Sequence, residues 1–110
     1  MSGILTLDDV AAPLRALRLL SVDFGHLPAP TVHVSTIYPE RLELSFYDDF
    51  PGFEMWREAL GVVPDVVTYR EQNDGRTGVL RADVDHAGAT VRLTGYADVV
   101  APVPAEAGAA

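Results

Sequence analysis

The sequence predicts an α+β fold: an antiparallel sheet of about five strands with two helices on one face, in the order α-β-β-α-β-β-β. Three observations predict it. Five short segments alternate apolar and polar residues at the period of a half-buried strand, and two others repeat apolar residues at helical spacing. Two glycine-bearing turn signals then join the last three strands in registers that set apolar residues opposite apolar ones.

Thr6-Leu7-Asp8-Asp9 has the form of a capping box, a hydroxyl followed three residues later by an acid, and it predicts a helix from about Leu7. Val10, Leu14, Leu17 and Leu20 make its apolar stripe. Pro13 leaves two readings open: the helix kinks there, or it begins there as a first residue whose missing N–H costs little. Ser21–Pro30 holds two prolines and a glycine, and reads as a loop into the first strand. Thr31–Thr36 and Arg41–Tyr47 alternate as strands. Pairing Val34 with Leu44 and Val32 with Phe46 aligns their apolar faces around a loop from Ile37 to Arg41.

Asp48-Asp49-Phe50-Pro51 predicts a second helix, with an aspartate cap and proline in the first turn. Phe53, Trp56 and Leu60 form its buried stripe, Glu54, Arg57 and Glu58 its wet side, and Gly61 ends it. From Val66 to Ala97 a three-stranded meander follows. A turn at Asp74-Gly75 pairs Tyr69 with Leu80 and Val67 with Ala82, and a turn at Ala87-Gly88 pairs Ala82 with Leu93 and Val84 with Val91. Residues 1–98 therefore read as one domain, and the Pro- and Ala-rich residues 99–110 as a flexible tail.

Composition removes several function classes. Sixteen Asp and Glu against eight Arg, with no Lys, give a net charge of −8. That balance opposes phosphate backbones and anionic membranes, so neither nucleic acid nor a membrane is an expected partner. The absence of cysteine excludes disulfides, thiolate nucleophiles and thiolate metal sites, and the absence of lysine excludes Schiff-base chemistry. The opening residues lack the basic and apolar regions of a signal peptide, and a cytoplasmic protein is the expectation.

The local motifs are better explained by structure than by chemistry. Asp48-Asp49 resembles a carboxylate pair, but acids at a helix start are what the helix dipole favours. Asn73-Asp74-Gly75 and Asp83-x-Asp85-His86 lack the remaining ligands of a metal site, and both supply residues that hairpin turns need. Gly75-Arg76-Thr77-Gly78 has the spacing of a nucleic-acid loop but joins two strands of an acidic protein. His26, His33 and His86 share no ligand spacing, no serine stands in a nucleophile elbow, and Trp56 with Phe50 and Phe53 reads as core. No metal or cofactor is expected.

One surface remains. The face of the meander opposite the core carries Thr68, Arg70, Val79, Arg81, Asp83, Thr90, Arg92, Thr94 and Tyr96. Arg92 is expected opposite Asp83, and Arg81 between Thr68 and Thr94. Paired charges and threonines suit a merely solvated face, whereas arginine and tyrosine are residues that interfaces favour. Arg70, Arg81, Arg92 and Tyr96 are accordingly the candidate protein-binding residues. The expected function is a non-catalytic interaction or regulatory accessory module, with a protein partner or self-association as a homodimer. The alternatives are a small-molecule binder or small enzyme with a pocket between helix and sheet, using Asp48, Asp49, His33 or Tyr47, and an acidic mimic of nucleic acid.

Overall fold

The computed structural model describes residues 4–99. The chain runs through α1 (Ala11–Asp23), β1 (Thr31–Val34), β2 (Arg41–Tyr47), α2 (Phe50–Ala59), β3 (Thr68–Gln72), β4 (Thr77–His86) and β5 (Ala89–Asp98). Short 3-10 turns occupy Leu7–Val10 and Pro64–Val66. The α+β class, with two helices and five strands, is as expected from the sequence, the two 3-10 turns add to the expected order, and the strands form one sheet in the order β1-β2-β5-β4-β3.

The sheet is mixed, which corrects the expected antiparallel one. β1–β2, β3–β4 and β4–β5 are antiparallel, but β5 pairs with β2 in parallel, Leu42 beside Val91 and Leu44 beside Leu93. The cause is α2. It carries the chain back across the sheet, so β3 sets out in the same direction as β2, and two hairpin reversals then bring β5 home parallel to β2.

The capping box at Thr6 forms over a 3-10 turn. The Thr6 N–H donates to Asp9 Oδ2 at 2.8 Å, and the Asp9 N–H donates to the Thr6 carbonyl at 3.0 Å. The backbone changes at Val10 (φ −110°, ψ 23°), so α1 starts at Ala11 and Pro13 is its third residue, among those whose N–H has no helical acceptor. Neither a kink nor a start at Pro13 is needed. Val10, at the end of the 3-10 segment, is buried as expected. Pro13, Ala16 and Leu20 are the buried residues of α1, and Leu14 is exposed, contrary to the stripe expected through Leu14.

β1 and β2 pair two residues away from the expected register, Val32 with Leu44 and Val34 with Leu42. The Arg41 N–H donates to the Tyr38 carbonyl at 3.0 Å, closing a turn with Pro39 as its second residue, and this fixes where β2 begins. A slip of two keeps every side chain on its expected face.

Asp49 caps α2, its Oδ1 accepting from the Gly52 N–H at 2.9 Å, and Gly61 (φ 74°) ends the segment. Phe53 and Trp56 pack beneath α2 with Ala16 and Leu20 of α1 against Leu42, Leu44, Phe46, Val91 and Leu93. Both helices therefore cover one face of the sheet. Each such large apolar side chain contributes about 1.5–3 kcal/mol on burial. The Trp56 indole N–H donates to the Pro28 carbonyl at 2.7 Å and its ring meets Phe24 edge-on at 6.0 Å, tying the loop after α1 to the core.

Arg57 does not lie on the wet side of α2 as expected; it is 8% exposed. Its Nη1 donates to the Val62 carbonyl, and its Nε and Nη2 reach the Glu54 carboxylate at 3.0 and 2.9 Å. Those bonds hold the return from α2 towards β3, and the hydrogen bond to Glu54, with the charges of Glu54 and Glu58, raises the guanidinium pKa above its ordinary value.

The meander has the expected registers of Tyr69 with Leu80, Ala82 with Leu93 and Val84 with Val91. Asp74 and Gly75 (φ 57° and 81°) and Ala87 and Gly88 (φ 52° and 84°) are left-handed, as tight hairpin turns require. Val67, expected opposite Ala82, precedes β3, because the 3-10 turn begun by Pro64 delays the strand to Thr68. The Val99 N–H donates to the Arg76 carbonyl at 2.8 Å. The rest of the expected tail, residues 100–110, lies outside the described residues.

Candidate protein-interaction face

Alternation along the strands sends one set of side chains to the helices and the other to the opposite side of the sheet. On that helix-free side the ladder forms cross-strand rows, three of which carry the candidate residues. One runs His33, Glu43, Arg92, Asp83; the next Thr31, Ser45, Thr94, Arg81, Thr68; the third Tyr47, Tyr96, Val79, Arg70. All four candidate residues, Arg70, Arg81, Arg92 and Tyr96, are on this face.

Of the three arginines only Arg92 is paired. Arg92 donates from Nε and Nη2 to the two oxygens of Asp83 at 2.9 and 3.1 Å, a forked pair that raises its pKa. Arg70 and Arg81 take part in no ion pair among the described residues. Two unbalanced positive charges thus stand diagonally across the β3–β4 pair on a molecule of net charge −8.

The parallel β2–β5 pair adds residues that the sequence reading left unconnected to this face. It brings Tyr47 beside Tyr96, and their rings stack at 5.1 Å with planes 7° apart. Tyr47 is 60% exposed, whereas Val79, between Tyr96 and Arg70 in the ladder, is 1% exposed. Tyr47 and Tyr96 were each visible in the sequence; that they are neighbours was not, because nothing local signals a pairing across an intervening helix and two strands. At the Pro39 end, Arg41 lies over the Tyr38 ring at 3.8 Å and pairs with Glu43 at 3.1 Å. Tyr38 and Arg41, with Pro39, Glu40, Thr90 and Arg92, line a shallow hollow of about 290 Å³.

The residues named for a pocket between helix and sheet do not converge there. Asp49 is spent on its helix cap, Asp48 makes the left-handed step before it (φ 56°), and His33 and Tyr47 are on the helix-free face. A cavity of about 170 Å³ does lie between the C-terminal end of α1, the Phe24–Pro30 loop and β1–β2. Its lining, including Leu17, Leu20, Phe24, Leu27, Val32 and Trp56, contains no titratable side chain. Alternation also puts His86 on the other face from Asp83 and Asp85, and among the described residues no three His, Asp or Glu gather as metal ligands.

No helix among the described residues is long and apolar enough to cross a membrane. No protein-family model matches this chain, and no curated protein matches it in sequence.

Proposed function

We propose that this chain is a non-catalytic protein-interaction module, regulatory or accessory in kind, whose recognition surface is the helix-free face of the sheet. The observation that carries the reading is the stacked Tyr47–Tyr96 pair, on the same face as the unpaired Arg70 and Arg81. Aromatic residues and arginine are what interfaces concentrate, and rings already stacked lose little conformational freedom on binding. A partner protein or a second copy of the chain both fit this reading.

The test is the double substitution Tyr47→Ser with Tyr96→Ser. Circular dichroism should stay native, since Tyr47 is exposed, while self-association in sedimentation or capture of a cross-linked partner weakens about thirtyfold, the size expected for losing a central aromatic. A wild-type chain that remains monomeric and captures no protein overturns the reading, as does association that survives the substitution.

The apolar cavity supports a second reading, a binder of a small apolar molecule. Its lining lacks acid or base, which favours binding over a reaction. An aliphatic probe that changes Trp56 fluorescence and raises Tm would favour it; a probe that changes neither would count against it.

A further inference from the structure

The cavity between α1 and β1–β2 has a buried floor and an open mouth. Leu20, Leu44 and Trp56 are 1%, 0% and 5% exposed and form the floor, whereas Ser21, Gly25, Ala29 and Val32 are exposed and form the rim. One wall is the Phe24–Pro30 loop, stiffened by Pro28 and Pro30 and held by the Trp56 N–H on the Pro28 carbonyl at 2.7 Å. The two side-chain donors of the lining are both in use. The Trp56 N–H goes to Pro28, and the Ser21 hydroxyl donates to the Arg18 carbonyl at 2.7 Å, so no lining side chain keeps a donor for an anion. The C-terminal end of α1, the negative pole of its dipole, also borders the cavity.

Resting on the second reading above, that of an apolar binder, we propose that this cavity takes one neutral aromatic ring, a benzene bearing at most short alkyl groups. Size sets the first limit. A cavity of about 150 Å³ lined by aliphatic and phenyl side chains stays dry and admits benzene. The volume here, about 170 Å³, fits one such ring with a methyl group and is too small to bury a fused two-ring system or a long acyl chain. The lining then favours a ring over an aliphatic molecule of equal size. Phe24 and Trp56 meet edge to face at 6.0 Å within it, and a third ring extends that arrangement, with an attraction beyond its apolar area. Charge sets the last limit, since an anion would find no free side-chain donor, the negative end of a helix and a chain of net charge −8.

Methyl-detected NMR on the full chain, with toluene, cyclohexane and benzoate as probes, tests this. Toluene should give nuclear Overhauser contacts to the Leu20 and Leu44 methyls and to the Trp56 ring, and should raise Tm. Cyclohexane, alike in size but without a π face, should bind about fivefold more weakly. Benzoate should bind at least about a hundredfold more weakly than toluene, because its charge would have to enter an apolar site. Val32→Phe adds bulk at the exposed rim and should weaken toluene at least about tenfold while the amide spectrum stays native. Equal affinity for toluene and cyclohexane, both touching Leu20 and Leu44, overturns the ring assignment and leaves the apolar binder standing. Contacts from neither probe overturn both. Benzoate bound as tightly as toluene, or toluene held in full by Val32→Phe, also overturns the proposal. A solution mass that rises with concentration and falls on adding toluene assigns the cavity to an apolar side chain of a second copy, and overturns the small-molecule ligand.

Discussion

Arg92 stands directly across the ladder from Asp83 and donates to both of its carboxylate oxygens, at 2.9 and 3.1 Å. Forked geometry makes this one of the stronger kinds of surface ion pair, but water still reaches both groups. A double-mutant cycle with Arg92→Ser and Asp83→Asn should give a coupling of about 0.5–1 kcal/mol by denaturant unfolding. A coupling near zero would show that the fork contributes only its position.

Gly95 lies in the central strand β5 under α2. A Cβ there would stand 3.1 Å from Phe50 Cδ1 and 3.4 Å from Phe53 Cβ, so the absence of a side chain is what admits the helix. Gly95→Val should cost about 2 kcal/mol, lowering Tm by roughly 10 °C, because packed cores tolerate added volume poorly. An unchanged Tm would mean that α2 shifts freely over the sheet.

Ala87 is left-handed (φ 52°) and exposed in the turn between β4 and β5. An Asn-Gly pair is the preferred dipeptide for that turn, so Ala87→Asn should stabilise the protein by about 0.5–1 kcal/mol. Thermal unfolding checks this, and a lower Tm would contradict the assigned turn.

Tyr69 folds over Gly78 and donates its hydroxyl proton to Glu71 Oε2 at 3.0 Å. Desolvation first, and the Glu71 bond second, raise the phenol above its ordinary pKa. A raised folded-state pKa means that this contribution to stability is complete below the ordinary tyrosine value of about 10 and is lost as pH rises through the folded value. Ring-carbon NMR should show Tyr69 ionising at higher pH in the native than in the denatured chain, and Glu71→Gln should move the native value downward. Coincident native and denatured titrations would rule out both causes.

Local chemistry made much of this fold legible. Asp49 and Pro51 marked α2, and Asp74-Gly75 with Ala87-Gly88 set the meander registers, because caps and left-handed turns are decided within four residues. The parallel pairing of β2 with β5 was not legible, since α2, β3 and β4 separate those strands in sequence and the pattern of each fits either direction. The candidate face divides the same way. Arg70, Arg81, Arg92 and Tyr96 followed from the hairpin registers, whereas the Tyr47 stack needed the long-range pair. Arg57 was misplaced because helical spacing shows its side of the helix but not the Val62 carbonyl waiting beyond the helix end.

The position of β5 also bears on how the protein is made. β5 follows the other four strands along the chain, yet it occupies the middle of the sheet with β2 on one side and β4 on the other. Until the ribosome has released Ala89–Asp98, β2 and β4 each present an open edge with apolar side chains, the kind of surface on which nascent chains associate wrongly. Sheet assembly therefore waits until β5 has emerged, and the interval before β5 inserts is when the young chain most needs protection from its neighbours.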